Sequence, residues 1–469
     1  MRPLLTRETA LDWVEDAVGT ALSAGADEAE ALLLTEASAL TRFARSRIHQ
    51  NVGEANVELR VRAVRGRRVA VVSTNRLHRE TVAEAAERAV RMARHSREDL
   101  AFAGLPSSSF PYVDQTTYYE ATAAVGPPDR AQAVADVLQV LQEGGARGYG
   151  VITNGVTELA VRNSRGIHAY QAFTDAFVSV IAERLETARE TAPDQAAPGV
   201  TGYWAAASRD SVQLDPHRAA VEALTRARPL PQADIAPGRY TVLLEEEAVA
   251  DLIAFFGHLA LNGLAYVEGR CLFSGALGEE RYPGHITLRD DPTDVRTANA
   301  SFDFEGVAKA PFTMIREGRV ENVAFDHQTA ARAGLTGTGH ALPAPNTHGP
   351  VPLNLVLTPG SRTREELIRG VERGLLITRF HYVNAVDPSR TLLTGMTRDG
   401  TFLIEDGRIT ARAPDLRWVD SVDEILRRSI AVGSPGRLIS EGPGYGMRHL
   451  AGVLAAPLLT ADFQITGTV

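Results

Sequence analysis

A single cysteine, Cys271, occurs in 469 residues, so an intrachain disulfide and an all-cysteine metal cluster are both excluded. The chain also lacks an uninterrupted apolar run of membrane length. Its longest candidate, AVADLIAFFGHLALNGLAYV at 248–267, is broken by Asp251, His258, Asn262 and two glycines, each costly at membrane depth. That segment reads as a buried helix followed by a turn. Positive charge is not in excess: 49 Lys and Arg face 58 Asp and Glu, a formal charge of −9. The balance argues against a general nucleic-acid coat. The opening MRPLLTRETALDWVEDAV meets acidic residues too early for a secretory apolar core, so a cytoplasmic location is expected.

Familiar catalytic motifs are missing as well. There is no HExxH, HExxxH or HxH, no GxSxG elbow, no Walker spacing and no glycine-rich strand-to-helix turn of the Rossmann kind. Cys271, in GRCLFSG, has no histidine placed beside it by sequence and reads as a buried thiol.

What remains is ample for a core, with 44% apolar and 23% charged residues. The length predicts two or three domains. Residues 8–23 have the apolar spacing of a helix, VELRVRAV and RVAVVST form a hairpin across Arg65-Gly66, and 79–96 is an amphipathic helix with Val82, Ala86, Ala89 and Ala93 on one face. A linker at 102–114 leads to a helix at 131–143 and three alternating segments separated by turns at Asn154-Gly155 and 164–166, then a helix at 214–229. After PLPQADIAPG, a strand, YTVLL, enters a helix near Glu245, and strands dominate the rest, with hairpin turns at 317–320 and 405–408. The expected architecture is α+β: an N-terminal α/β sandwich-like region followed by a large β-rich C-terminal domain with one prominent buried helix. The units are 1–101, 114–230 and 237–469.

Candidate chemistry is thin. Glu245, Glu246 and Glu247 open a helix, where capping of its dipole accounts for them; His258 lies too far from Glu247 and Asp251 for one ion. His340 and His348 flank a proline-containing loop that could supply ligands. In RFHYVN, strand alternation puts Phe380 and Tyr382 on one face and His381 on the other. In TGMTRDGTF, Asp399-Gly400 reads as a tight turn, with Arg398 and Asp399 pairing with each other or clamping a carboxylate.

The ordered series CLFSGALGEE, HITLRDDPT, SFDFEGV and LLITRFHYVNAVDPSRTLLTGMTRDGTFLIEDGRI, with VRAVRGRRVAVVSTNRLHRETVAEAAERAVRMAR upstream, resembles the TldD/PmbA family over about residues 20–465. The family is known both as modulators of DNA gyrase and for proteolysis. The resemblance implies two kinds of subunit. TldD-type chains hold zinc on an HExxxH helix, with a cysteine in a glycine-rich C-terminal stretch. Here Ile253 stands at the first histidine position, Ala254 at the glutamate position, and only His258 remains; EGPGYGMRHLAG has no cysteine. That departure is similar to the TldE/PmbA-type subunit. It implies no catalytic residue and no metal in this chain, zinc in a TldD-type HExxxH partner, and unfolded peptide or peptide-like substrates in a shared chamber, with no nucleic acid or membrane partner. His381, Tyr382, Asn384, Arg398 and Asp399 are the candidate substrate or partner contacts. Two other functions stay open: a metal-independent enzyme using His381 with Arg398 on a dedicated substrate, and a binding protein that modulates gyrase.

Overall fold

The computed structural model describes residues 4–107, 111–184, 199–297, 300–440, 448 and 451–469. Its N-terminal half contains α1 (Arg7–Ser23), β1 (Glu28–Ala44), β2 (Arg47–Arg65), β3 (Arg68–Thr74), α2 (Arg79–His95), α3 (Glu120–Ala124), α4 (Pro127–Glu143), β4 (Arg147–Asn163), β5 (His168–Arg184), β6 (Val200–Ser208) and α5 (Pro216–Arg226). The six strands form one antiparallel sheet in the order β3-β2-β1-β4-β5-β6. The expected units 1–101 and 114–230 therefore meet in a shared ladder, β1 pairing β4 from Glu30↔Asn163 to Phe43↔Gly150. The predicted face of α2 is buried, and α1 joins it against β1–β3. α4 and α5 cover the other half around Val137, Leu141 and Ala223.

The turn expected at Asn154-Gly155 is absent. Both residues sit inside β4, and each has a packing reason to be there. The buried Asn154 amide donates to the Thr122 carbonyl at 2.9 Å and its oxygen accepts from Arg130 at 2.8 Å. A Cβ at Gly155 would lie 2.7 Å from Arg448 Nε. The turns at 164–166, 317–320 and 405–408 form as expected, with Gly166, Gly318 and Gly407 at positive φ.

The C-terminal half runs β7 (Gly238–Leu244), α6 (Glu246–Leu259), α7 (Gly263–Val267), β8 (Leu288–Asp290), β9 (Phe312–Arg316), β10 (Arg319–Val320), α8 (His327–Ala333), β11 (Asn354–Leu357), β12 (Arg362–Thr363), α9 (Arg364–Arg369), β13 (Arg373–Asp387), β14 (Leu392–Glu405), β15 (Arg408–Arg412), β16 (Leu416–Ser421), α10 (Val422–Arg427), β17 (Ser429–Ser434), β18 (Arg437–Ile439), β19 (Gly452–Ala455) and β20 (Leu458–Thr468). Strands β7, β13, β14, β16 and β20 close on themselves, because β7 pairs with both β13 and β20. A second sheet has the order β10-β9-β8-β11-β19-β18. The fold is α+β.

Helix α6 is the prominent buried helix. Val249, Leu252, Ile253 and Phe256 pack with Leu375 and Ile377 of the closed strands and with Leu355 and Val453 of the second sheet. Gly257 permits the approach to β11, since a Cβ there would meet Leu355 Cδ1 at 2.7 Å. Burying four such side chains contributes roughly 1.5–3 kcal/mol each. Among the described residues, no helix is long and apolar enough to cross a membrane.

Candidate functional site

One stripe of α6 escapes this core. Ala254 and His258, one turn apart, are exposed, while Ile253 is 1% exposed and belongs to the apolar interior. His258 opens onto a cavity of about 500 Å³, lined also by Asn262, Arg270, Thr347, His348, Asp387 and Ser389. Asn262 organises the floor. Its side-chain oxygen caps α7 by accepting from Leu264 and Ala265 N–H at 2.9 and 3.1 Å, and its amide donates to the His348 carbonyl at 2.7 Å. His348 is thereby held with its ring centroid 6.1 Å from that of His258. Gly349, at φ +82, is required here: a Cβ would meet Leu264 at 2.5 Å. Desolvation, reinforced by His348, holds the His258 imidazole below its ordinary pKa, which favours the neutral ring.

The opposite wall is the tip of the β13–β14 hairpin. Asp387 accepts from Ser389 N–H at 3.1 Å and from its hydroxyl at 2.7 Å, a local turn that presents Asp387, Pro388 and Ser389 to the cavity. Their D-P-S sequence is a turn signal, but nothing in it indicates that the turn would face His258. Of the two loop histidines, His348 reaches the cavity, and His340 is buried elsewhere, 3.5 Å from Asp290.

The remaining candidates lie farther along the same hairpin. Tyr382 to Asp387 spans about 16 Å of extended chain. Alternation fails there, because the ladder shifts register between His381 and Asn384 and Tyr382 takes φ +50. Phe380 is buried against Trp418, whereas Tyr382 is 72% exposed and its ring packs 4.2 Å from that of His381. Asn384 donates to the Tyr382 carbonyl at 3.0 Å and braces the bulge. The pairing of Arg398 with Asp399 does not form. Asp399 is buried and bound to Arg379, whose guanidinium stacks 3.9 Å over Tyr203; Arg398 is exposed. Asp399-Gly400 is not a turn but a bulge inside β14, at φ +53 and +138, because a shift between Ile377 and Arg379 must be absorbed. Burial, with Arg398 and Arg379 nearby, lowers the His381 pKa.

The donor set does not fit a catalytic zinc. Among the described residues, the one group of three or more His, Cys, Asp and Glu within mutual ligating reach is Glu245, Glu246 and Glu247. Those carboxylates are committed to arginines. Arg226 donates twice to Glu245 at 2.9 and 2.8 Å, Arg364 donates once at 2.5 Å, and Arg437 holds Glu247 at 2.7 Å. Burial would raise the Glu245 pKa, but Arg226 and Arg364 outweigh it and hold the carboxylate ionised. The Glu245 side chain makes no cap hydrogen bond. The Cys271 thiol donates to the Ala260 carbonyl, and burial raises its pKa. The glycine-rich stretch at 441–447 lies outside the described residues.

Residues 237–467 match the PmbA/TldA metallopeptidase C-terminal domain, and residues 29–93 match PmbA/TldA metallopeptidase domain 1. The chain belongs to the TldD/PmbA family. A metalloprotease of Methanothermobacter thermautotrophicus is 28% identical over 244 residues, 51% of this chain; the match spans about half, 52%, of that relative. The fold is that of TldE from Thermococcus kodakarensis, with TM-score 0.85 and 19% identity over 97% of this chain and 99% of that one. A structure described as a modulator of DNA gyrase, from Thermotoga maritima, gives TM-score 0.82 and 17% identity over 97% and 99% of the two chains. At these identities the structures establish the fold of this TldD/PmbA chain alone.

Proposed function

We propose that this chain is the metal-free, TldE/PmbA-type subunit of a cytoplasmic two-chain peptidase, with zinc supplied by a TldD-type HExxxH partner. The observation that carries the reading is α6 itself: the helix is intact, but Ile253 and Ala254 leave His258 without a second helical ligand or a general base. The chain would then shape the chamber rather than run the hydrolysis. Unfolded peptide suits the cleft beside α6. β7 pairs with β13 only from Gly374 to Ile377, so beyond Ile377 the second edge of β13 has no paired strand among the described residues. An extended peptide adding there would gain backbone hydrogen bonds without sequence preference. Tyr382 and Asn384 lie along that edge, with the His258 cavity at its end.

Co-expression with an HExxxH chain tests this directly. The expected product is a one-to-one complex with one zinc per pair, which hydrolyses unfolded peptide while this chain alone does not. Chelator-sensitive hydrolysis by the purified single chain would overturn the assignment.

A further inference from the structure

The seam between the N-terminal sheet and the C-terminal half holds more buried acid than base. Glu30 of β1 and Glu305 of the 301–309 loop share one cation, Arg62 of β2, whose Nη2 donates to them at 2.6 and 2.9 Å. Asp303 lies on the same loop and accepts from Glu305, Val307 and Ala341 N–H, each at 2.9 Å. All four side chains are under 10% exposed. Further groups face them: Asp326, the N-cap of α8; Tyr112, whose hydroxyl donates to the Gly306 carbonyl; and Lys309, His340 and Arg448, which line one cavity with Asp303 but are engaged by Asp290 or, for Arg448, by Asp175. Among the described residues, Glu305 Oε2 and Arg62 Nε have no hydrogen-bond partner.

Fully ionised, Glu30 and Glu305 would share the single charge of Arg62, and Asp303 beside them would have backbone N–H donors but no cation bound to it, leaving excess negative charge in the seam. Buried charge without a partner is among the most expensive arrangements a protein holds, which favours the protonated forms of Glu30 and Asp303. We propose that this seam is a proton-operated latch: protonated, it clamps the 301–309 loop onto β1 and β2, and deprotonated, like-charge repulsion loosens the loop. The loop is well placed to transmit the change. Phe302 packs with Leu32, Leu34 and Phe173 of the N-terminal sheet, and Lys309, the only lysine in the sequence, pairs with Asp290 of β8 at 3.2 Å.

The direction of the effect follows from linkage. Burial is the main cause that pushes Glu30 up to about 7, with Glu305 adding to it against Arg62. Burial also pushes Asp303 up to about 8, again helped by Glu305 and opposed by the three backbone donors. A carboxyl raised in the folded state stabilises the latch at acidic pH, and that contribution is lost as pH rises through about 7 and 8.

Hydrogen exchange on the full chain tests the latch at the amides of Glu305, Val307 and Ala341, which report on Asp303 directly. Between pH 6 and pH 8.5 their protection factors should fall at least about tenfold, as release of one proton per unit of pH requires, while amides in the β4–β5 ladder hold constant. Glu305→Gln keeps an acceptor for Arg62 and removes one charge; because burial of Glu30 and Asp303 remains, its fall should be smaller than that of the wild type without vanishing. Glu30→Gln serves the same purpose should the first variant fail to fold. Constant protection in the wild-type loop would overturn the proposal on its own, as would an equal fall in wild type and variant.

Discussion

The β1–β4 ladder and the β13–β14 ladder are both long antiparallel pairings, yet they differ in regularity. β1 and β4 pair over fourteen consecutive positions without a register shift, whereas β13 and β14 shift three times and carry positive φ at Tyr382 and Asp399. A regular ladder fixes every side chain on one of two faces and makes a wall. A bulged ladder turns single side chains out of alternation, which is how Tyr382 and Asn384 come to be exposed along the strand whose Asp387 tip lines the cavity. Where the two regions join, the interaction is electrostatic. Arg226, on the helix that covers β6, clamps the wholly buried Glu245 at the root of α6, and both Arg226 and Arg437 lie over the Trp204 ring. Arg226→Ala removes two charge-assisted hydrogen bonds from that carboxylate, leaves it to Arg364, and should cost about 3–5 kcal/mol in urea unfolding, the largest effect expected here. Adding Glu245→Leu should recover most of the loss; a double variant as unstable as the single would mean that packing around Trp204, not the charge, joins the regions.

The same contrast exists within α6, between its core face and its cavity stripe. Ile253→Ala opens a void among Phe256, Leu355 and neighbouring core residues and should cost about 2–4 kcal/mol by chemical denaturation. Ala254→Gln, one residue on, should change stability by under about 0.5 kcal/mol, because the position is exposed. Equal costs at the two positions would contradict the exposed stripe on which the functional reading depends.

Sequence patterning carried further in the scaffold than in the site. Helices α1, α2, α4 and α5 and four of the six expected turns follow from apolar period and from glycines that take positive φ, the turns expected at Asn154-Gly155 and Asp399-Gly400 being the exceptions. The failures share one cause, a local signal satisfied by a distant partner. Asn154-Gly155 has the composition of a turn, but Asn154 is needed by Arg130 and Gly155 by Arg448, both far away in sequence. Thr35 and Glu36 likewise interrupt an apolar pattern, yet they are buried within β1, with the Thr35 hydroxyl donating to Glu158 of β4 at 2.5 Å. At the cavity, His258 was legible from its motif position; the approach of His348 and Asp387 to it depends on loop geometry that no spacing encodes.

A small effect on stability separates strain from function in the irregular ladder. Tyr382 holds a left-handed conformation that a bulky residue adopts at a cost of about 1–2 kcal/mol, and it does so with its side chain mostly in solvent, so little packing repays the strain. Tyr382→Gly removes the strain but loosens the unfolded chain, and the net change should be a stabilisation of no more than about 1 kcal/mol. If the ring is kept there to contact peptide or the partner subunit, the same variant should weaken peptide hydrolysis by the reconstituted complex while its thermal midpoint holds or rises. A variant that unfolds earlier instead would make Tyr382 a structural residue of the bulge and remove it from the cleft wall.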